Sequence, residues 1–522
     1  MRKTLGIALA AALIFPSQAS AELFNNLKVS GQLDIQSTSA RNVADFQTDA
    51  DTCVTCTVAA GTENDRVGNT LTRTLLKMEW DLLDDVHATI GLIKNDRPWG
   101  RNATAGDDQT VNGANQTLTN TATGTDIGGN VSVNLANIKI DKMFGHFDIT
   151  LGRQYYGDPG DLIVYVGPYD THGLYATSVD GMRVDAENDM LTFTGSFFTT
   201  AGPADISAGA QDSNTYLKGI EIGIKNMPVK SKFFVWNRLV QQAGTLGTPP
   251  AVVGPTAGGL NDNLYVFGTQ LRGEAAGGWL SLDLAGNLGT DRISGNAYGG
   301  ACGVEFCPAG TAKYRGWGFL VDTGYNAEIA NVGGFTPWGT FGFGTGRSSL
   351  GQNKNEGFNT IATDFRPGVI NRRFAAANAA QILGSAANNM VAANTMDGAT
   401  TNAATTGLNN RVVWGAGANF TPAFEDRATV GVSFWDFRFQ RVTDIGAGAK
   451  VHRAHAGNTH IGSEFGLTSE WRHSENVTLG MGWATFQPGG YIKEIMEDSA
   501  ASVQGAGNNP VQMWFADFTV KF

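Results

Sequence analysis

The chain has 522 residues, of which 42% are hydrophobic and 16% are charged, with 68 glycines. Its formal net charge of −11 at pH 7 argues against nucleic acid as a partner, because phosphate binding needs clustered Lys and Arg. Single soluble cores rarely grow beyond about 250–300 residues. Because no linker or change of composition divides this chain, one soluble globular domain is disfavoured.

The N-terminus has the pattern of a secretory signal peptide. A basic head, Met1-Arg2-Lys3, precedes an apolar run that ends at Phe15, and Ala19-Ser20-Ala21 supplies the small residues read by signal peptidase. We predict a signal peptide over residues 1–21, with cleavage after Ala21. An uncleaved anchor helix is disfavoured, because the apolar run is shorter than the roughly 20 residues that span a bilayer.

Residues 22–522 are predicted to form one barrel domain, since both ends of this stretch are alternating strands. Apolar and polar residues alternate over 27–35 and again over 511–522, and period two places one set on each face of a strand. A strand at each end is what barrel closure requires, because the first and last strands must pair to remove free edges.

The same alternation recurs between the two ends, for example in Leu280, Leu282 and Leu284. Eighteen strands result when the terminal two are included. The sixteen inner strands are predicted at 69–82, 87–95, 131–141, 145–155, 177–186, 190–200, 215–226, 230–241, 262–275, 278–290, 314–327, 331–345, 410–421, 427–440, 458–473 and 477–487.

The connections alternate between short turns, such as 83–86 and 187–189, and long polar loops. The long loops are predicted at 37–68, 96–130, 156–176, 201–214, 242–261, 291–313, 346–409, 441–457 and 488–510. Short periplasmic turns alternating with long extracellular loops are typical of outer-membrane barrels. The predicted fold class is therefore all-β, a transmembrane antiparallel up-and-down barrel of about 18 strands (16–18).

Six Trp residues occupy outward positions of these strands, as the aromatic girdles of a barrel in outer-membrane lipid require. They are Trp80, Trp317, Trp414, Trp471, Trp483 and Trp514.

The four cysteines form two close pairs in long loops. An even number of cysteines in an exported protein favours disulfides. We expect the bonds to form within each close pair rather than between the two pairs. Zinc is the alternative, but no candidate ligand His lies near either pair. The disulfide candidates are Cys53, Cys56, Cys302 and Cys307.

Many charged residues fall at inward positions, which predicts a water-filled lumen because unpaired charge in a dry interior is very unfavourable. Channels of this kind are enclosed by barrels of 16–18 strands. The alternative is that the charges pair into networks that fill a closed pore. The inward set is Lys28, Arg73, Lys77, Lys225, Lys232, Arg238, Arg272, Arg472, Lys521, Asp34, Glu79, Asp81, Asp148, Glu221, Glu274, Asp283, Asp322, Glu464, Glu470 and Asp517.

The third long loop is the best candidate for a constriction. It is more apolar and aromatic than the other loops, which suits a segment folded against the inner wall. A surface loop with its own small cluster is the alternative. The constriction candidates are Arg153, Asp158, Asp161 and Asp170 in and beside this loop, and Arg73, Lys77, Glu79, Arg238 and Arg272 on the wall.

The seventh and eighth loops carry weaker signals. Residues 373–396 are rich in Ala and Asn and favour a helix that caps or enters the pore, or else a mobile surface loop. His452, His455 and His460 have a spacing suggestive of a metal site but lack a neighbouring acid or thiol, so we predict no metal.

We also predict no cofactor and no enzyme activity. Catalytic motifs such as G-x-S-x-G and H-E-x-x-H are absent from the sequence.

Together, the signal sequence, the strands, the loop alternation and the terminal Phe522 resemble the Gram-negative outer-membrane porin superfamily. The resemblance implies that assembly machinery reads the last strand, and it makes a homotrimer a candidate assembly. Leu151-Gly152-Arg153-Gln154 resembles a strand end of the larger substrate-channel porins, including the alginate-export type. An alginate channel would need a basic constriction, whereas the third loop here is acidic.

The predicted function is passive diffusion of small hydrophilic solutes or ions through an outer-membrane channel. The alternative is a scaffolding or adhesive barrel with a plugged lumen, such as a sheath around a partner protein. A TonB-dependent receptor would need a plug domain before the first strand.

Overall fold

The structure is a computed structural model that describes residues 25–42, 66–98, 131–170, 174, 176–201, 215–244, 260–291, 312–346, 354–374, 407–441, 458–493 and 509–522. The predicted signal peptide 1–21, the four cysteines, His452 and His455 lie outside these ranges, as does most of the helix predicted at 373–396. In the described part of the chain, no helix has the length and apolar character needed to cross a membrane.

Eighteen strands form the wall of a closed barrel. They are β1 Asn25–Arg41, β2 Arg66–Leu83, β3 Val86–Pro98, β4 Ser132–Met143, β5 Phe147–Gln154, β6 Val179–Glu187, β7 Leu191–Ala201, β8 Thr215–Ile224, β9 Val229–Gly244, β10 Leu260–Ala275, β11 Gly278–Asp291, β12 Trp317–Tyr325, β13 Gly333–Gly344, β14 Arg411–Pro422, β15 Ala428–Phe439, β16 His460–Ser474, β17 Val477–Pro488 and β18 Val511–Lys521.

Three short strand segments and one helix complete the secondary structure of the described residues. Ala312–Tyr314 and Ala327–Ile329 extend β12 at its two ends, pairing with β11 and β13. Lys354–Asn355 pairs in parallel with the first of these extensions, and α1 spans Ile370–Phe374.

Every long strand pairs antiparallel with its neighbours in sequence, and β1 pairs with β18 from Gln32↔Lys521 to Arg41↔Gln512. This last pairing closes the wall and leaves no free edge. The eighteen-strand antiparallel barrel predicted from the sequence is thereby confirmed. Strand bounds differ from the prediction by only a few residues, as in β4.

The two faces of the wall differ as period two requires. On β11, Leu280, Leu284 and Leu288 are exposed on the outer face, whereas the inward Asp283 is 2% exposed. Trp317, Trp414, Trp471 and Trp514 are also exposed on the outside. The wall therefore presents apolar side chains outward and polar groups inward, as the alternation in the sequence predicts.

The upper part of the lumen, next to the long loops, is filled with packed side chains. Phe198, Phe234 and Trp236 point inward and are buried there. The Trp236 ring lies over Gly219 on β8, so a Cβ at Gly219 would come within 2.5 Å of ring atoms. Only glycine permits this approach, which lets the wall accommodate a large ring on its inner face.

Candidate functional site

The third long loop folds into the barrel. We call residues 155–170 the third-loop segment. Tyr156 and Val166 exchange backbone hydrogen bonds of 2.8 and 2.7 Å, and residues 162–166 are buried. The Tyr156 ring packs edge-on against Phe198 and Trp236 of the wall, with ring centroids 5.3 and 5.1 Å apart. The aromatic content that distinguished this loop in the sequence thus serves packing against the inner wall.

A second segment folds inward from the seventh loop. We call residues 354–374 the seventh-loop segment, and its backbone binds the third-loop segment directly. Tyr165 N donates to Ala362 O at 2.6 Å, and Asp364 N donates to Asp161 O at 2.8 Å. In return, Gly160 N donates to the Asp364 carboxylate at 2.7 Å. The two segments form one unit inside the lumen, which we call the strap.

One end of the strap is fixed to the first, second and last strands. Arg73 on β2 pairs with Asp34 on β1 at 2.7 Å, and its guanidinium also donates to Tyr169 O at 2.6 Å. Arg373 binds both carboxylate oxygens of Asp517 on β18 at 2.7 and 2.8 Å. The strap is therefore attached across the β1–β18 seam that closes the barrel.

The seventh-loop segment has a further attachment at Glu464 on β16. The carboxylate is fully buried and accepts the backbone N–H groups of Val369, Ile370 and Asn371, the latter two at 3.2 and 3.4 Å. These N–H groups begin α1, where helical backbone donors lack partners within the helix. The Glu464 carboxyl group thus anchors the start of the helix to the wall.

Ion pairs also join the third-loop segment to the seventh-loop segment. Asp170 pairs with Arg366 at 2.8 Å and accepts a hydrogen bond from Arg372 Nε at 2.9 Å. Burial opposes ionisation of Asp170, but the charges and hydrogen bonds of Arg372 and Arg366 outweigh it and hold the pKa of this carboxyl well below its usual range. Asp170 therefore stays ionised in moderately acidic solution.

The lowered pKa of Asp170 predicts that its contact with Arg366 and Arg372 persists in moderately acidic solution. Because the folded pKa of Asp170 lies below the value of about 3.9 in an unfolded chain, its stabilising contribution is complete above that value and is lost as pH falls through the folded pKa. We expect the difference in free energy of unfolding between wild type and Asp170→Asn to stay constant from pH 8 to about pH 5, and to shrink only in stronger acid. Urea titrations in detergent micelles across this range measure it.

Asp158→Asn is the matched control, because Asp158 lies in the same segment and forms no ion pair with any described residue. It should change the free energy of unfolding little at every pH. A wild-type advantage over Asp170→Asn that already fades between pH 7 and pH 5 would contradict the assignment.

Beside the strap, two adjacent cavities lie in the lumen. The larger, of about 560 Å³, lies between the tip of the third-loop segment and strands β8–β10. The smaller, of about 160 Å³, shares Asp158, Asp161, Lys232 and Gln270 with it. Lining residues of the larger cavity include Asp158 and Asp161 on the strap, and Lys225, Lys230, Lys232 and Arg272 from the wall. Acidic and basic groups thus face each other across the opening.

The structure brings together some of the residues singled out in the sequence. Asp158, Asp161 and Arg272 line one cavity, and Asp170 and Arg73 lie at the opposite end of the third-loop segment. Lys77 and Glu79 pair with each other at 2.6 Å further down the inner face of β2. Arg238 lies on the wall 3.6 Å from Asp262.

Arg153 lies apart from the other candidates. It shares the face of β5 with the exposed Leu151 and pairs with Asp180 at 2.7 Å, while the adjacent Gln154 points inward. The strand alternation therefore turns Arg153 away from the lumen, and only its proximity in sequence to the third loop suggested otherwise.

Sequence reasoning missed the strap residues of the seventh loop. Asp364, Arg366, Arg372 and Arg373 lie within ten residues of a loop that is otherwise rich in Ala and Asn, and this local concentration of charge is the signal that would have indicated them. Within the described ranges, no group of three or more His, Cys, Asp or Glu is arranged to hold a metal ion.

No protein-family model matches the sequence, and no curated protein matches it. Solved structures do match. OccK9 (OpdG) of Pseudomonas aeruginosa aligns at 10% identity over 96% of this chain and 100% of its own, with a TM-score of 0.51. A BenF-like porin from Pseudomonas fluorescens Pf-5 aligns at 12% identity over 96% and 100%, with a TM-score of 0.50.

The chain has the fold of outer-membrane porins. In this fold the eighteen-strand wall carries the inward segments and the inner-face charges described above.

Proposed function

We propose that the protein is an outer-membrane porin, a non-enzymatic channel through which small hydrophilic solutes or ions diffuse passively. The observation that carries this proposal is the cavity of about 560 Å³ beside the strap, lined by charged groups. Charges at such density require water, and a narrow aqueous passage held by fixed loops is how barrels of this size select solutes. The BenF-like protein that shares the fold is itself described as a porin.

The charged side chains around the cavity set up an electric field across the passage, between the wall and the strap. Lys232 pairs with Glu221 at 3.4 Å and Arg272 with Asp283 at 2.5 Å, whereas Lys230 and Asp158 form no ion pair among the described residues. Lys230 on the wall and Asp158 on the strap are therefore the charges most available to a passing solute.

The remaining parts of the proposal concern export and assembly. Residues 1–21 direct secretion, the barrel-assembly machinery reads the strand that ends at Phe522, and the apolar outer face contacts membrane lipid. A homotrimer is the proposed assembly, and disulfides within the pairs Cys53–Cys56 and Cys302–Cys307 stiffen two outer loops.

Single-channel recording of the purified mature protein in a planar bilayer tests the function. A porin gives discrete, stable conductance steps. Heat-modifiable migration on gels shows whether the protein is folded. Folded protein that gives no conductance would overturn the proposal and favour the alternative, a scaffolding barrel with a plugged lumen.

Opposite shifts in ion selectivity are expected for Lys230→Gln and Asp158→Asn. Loss of the Lys230 charge favours cations and loss of the Asp158 charge favours anions, each changing the cation-to-anion permeability ratio roughly 1.5- to 2-fold, as expected for a unit charge about 10 Å from an ion path in water. Reversal potentials under a KCl gradient measure the ratio. Lys218→Gln, on the outward face of the neighbouring strand β8, is the control and should leave the ratio unchanged; equal shifts in all three variants would contradict the assignment.

A further inference from the structure

A row of alternating charges follows the inner wall at the short-turn end of the first strands. Asp81 lies on the same face of β2 as Arg73, which contacts the strap, so this row faces the lumen. The row, which we call the periplasmic belt, consists of Asp81, His87, Asp141, Lys139 and Asp148 from β2 to β5. It lies well below the strap and is not part of the cavity described above.

His87 occupies the centre of the belt and bridges two carboxylates. Its Nδ1 lies 2.6 Å from Asp81 Oδ1, and its Nε2 lies 2.9 Å from Asp141 Oδ2. A neutral imidazole has one N–H donor and one lone-pair acceptor, and a lone pair cannot face a carboxylate oxygen. Both ring nitrogens must therefore carry a proton, and the geometry is that of an imidazolium.

The groups that contact His87 and its two carboxylate partners are charged or polar. Lys139 contacts Asp141 at 2.6 Å and Asp148 at 3.3 Å, while Asn26 on β1 donates to Asp81 at 2.8 Å; Lys28 on β1 is a further charge acting on Asp81. The belt thus sets three carboxylates against Lys139 and the imidazolium, a net charge of minus one. Removing the His87 proton doubles this negative charge.

The position of His87 allows its charge to act on passing ions. Its side chain is 32% exposed, as are the side chains of Asp81 and Asp141 to a similar extent, so water and ions reach the group from the lumen. Histidine is the side chain whose charge ordinarily changes between pH 5 and 8.

We propose that His87 is a selectivity residue at the short-turn mouth of the lumen, whose protonated form moderates the negative charge of the periplasmic belt and whose deprotonation makes the mouth more cation-selective. This inference rests on the proposed channel function and extends it to a second, pH-dependent filter below the strap.

The test is the reversal potential of single channels under a KCl gradient at pH 6 and at pH 9, for wild type, His87→Gln and His87→Lys. The wild-type cation-to-anion permeability ratio should rise roughly 1.5- to 2-fold over this range, beyond any change shared by all three proteins. His87→Gln should show the higher ratio at both values, and His87→Lys the lower ratio at both. In the two variants, any change of the permeability ratio with pH comes from lumen groups other than residue 87. The additional change in wild type is therefore due to His87.

Two outcomes would overturn the inference. One is an equal pH response in all three proteins. The other is a His87 imidazole that NMR of the isotope-labelled protein in micelles shows to be neutral at pH 6. The NMR measurement does not depend on conductance, so the two failures are distinguishable: folded protein without channel activity refutes the proposed function, whereas conducting channels with a neutral His87 at pH 6 refute only the inference.

Discussion

Replacement of Arg73 by Met is expected to lower the free energy of unfolding by about 3–5 kcal/mol, the usual effect of removing one partner of a buried ion pair. The side chains of Arg73 and Asp34 are only 5% and 8% exposed. Without Arg73, Asp34 keeps hydrogen bonds from Thr519 and Gln32 but has no neutralising charge. Tyr169 O on the strap loses its donor as well.

Urea unfolding in detergent micelles, followed by tryptophan fluorescence and by gel mobility, measures this effect. Lys77→Met is the matched control, because Lys77 lies on the same face of β2 and pairs with Glu79 at 2.6 Å, but both side chains are about two-fifths exposed. An exposed pair contributes about 0–1 kcal/mol. The Arg73→Met, Asp34→Asn double variant should recover part of the loss, since it no longer buries an unpaired charge. Equal losses in Arg73→Met and Lys77→Met would contradict this account.

Replacement of Glu464 by Ala is expected to release the seventh-loop segment. Three backbone N–H groups at the start of α1 would lose their acceptor, which weakens the attachment by about 3 kcal/mol in total, at about 1 kcal/mol for each hydrogen bond. That is roughly a 100-fold shift in the equilibrium between attached and released segment. The expected result is a channel with larger mean conductance and frequent transitions between levels.

Single-channel recordings of Glu464→Ala and Glu470→Ala give the comparison. Glu470 also faces the lumen from β16, but it pairs with Arg472 at an exposed position and does not touch the strap. Its removal should leave the conductance levels and their lifetimes as in wild type. Steady wild-type conductance in Glu464→Ala would show that the remaining contacts, including that between Arg373 and Asp517, suffice to hold the segment.

The wall could be predicted from the sequence because period two is a local property. Each strand shows its own alternation, as Leu280, Leu282 and Leu284 do on β11, and the loop lengths then order the strands around the barrel. The same alternation predicts Asp34 and Arg73 on the inner face, where the structure shows them as a buried pair.

The strap could not be predicted in the same way, because its contacts join residues that are remote in sequence. Nothing near Glu464 in the chain indicates that it binds the start of a helix some ninety residues earlier. Arg153 shows the reverse problem: its proximity to the third loop predicts a place at the constriction, whereas the side-chain direction in β5 turns it outward. Contacts inside a barrel depend on the curvature of the wall, which no local pattern encodes.

The seam between β1 and β18 also bears on the order in which the molecule is assembled. Thr519 and Asp34 are 485 residues apart, and contacts of such large sequence separation form late and slowly. Arg373 needs Asp517 from the final strand before its end of the strap is attached. This end of the strap is therefore attached only after the final strand has taken its place in the wall.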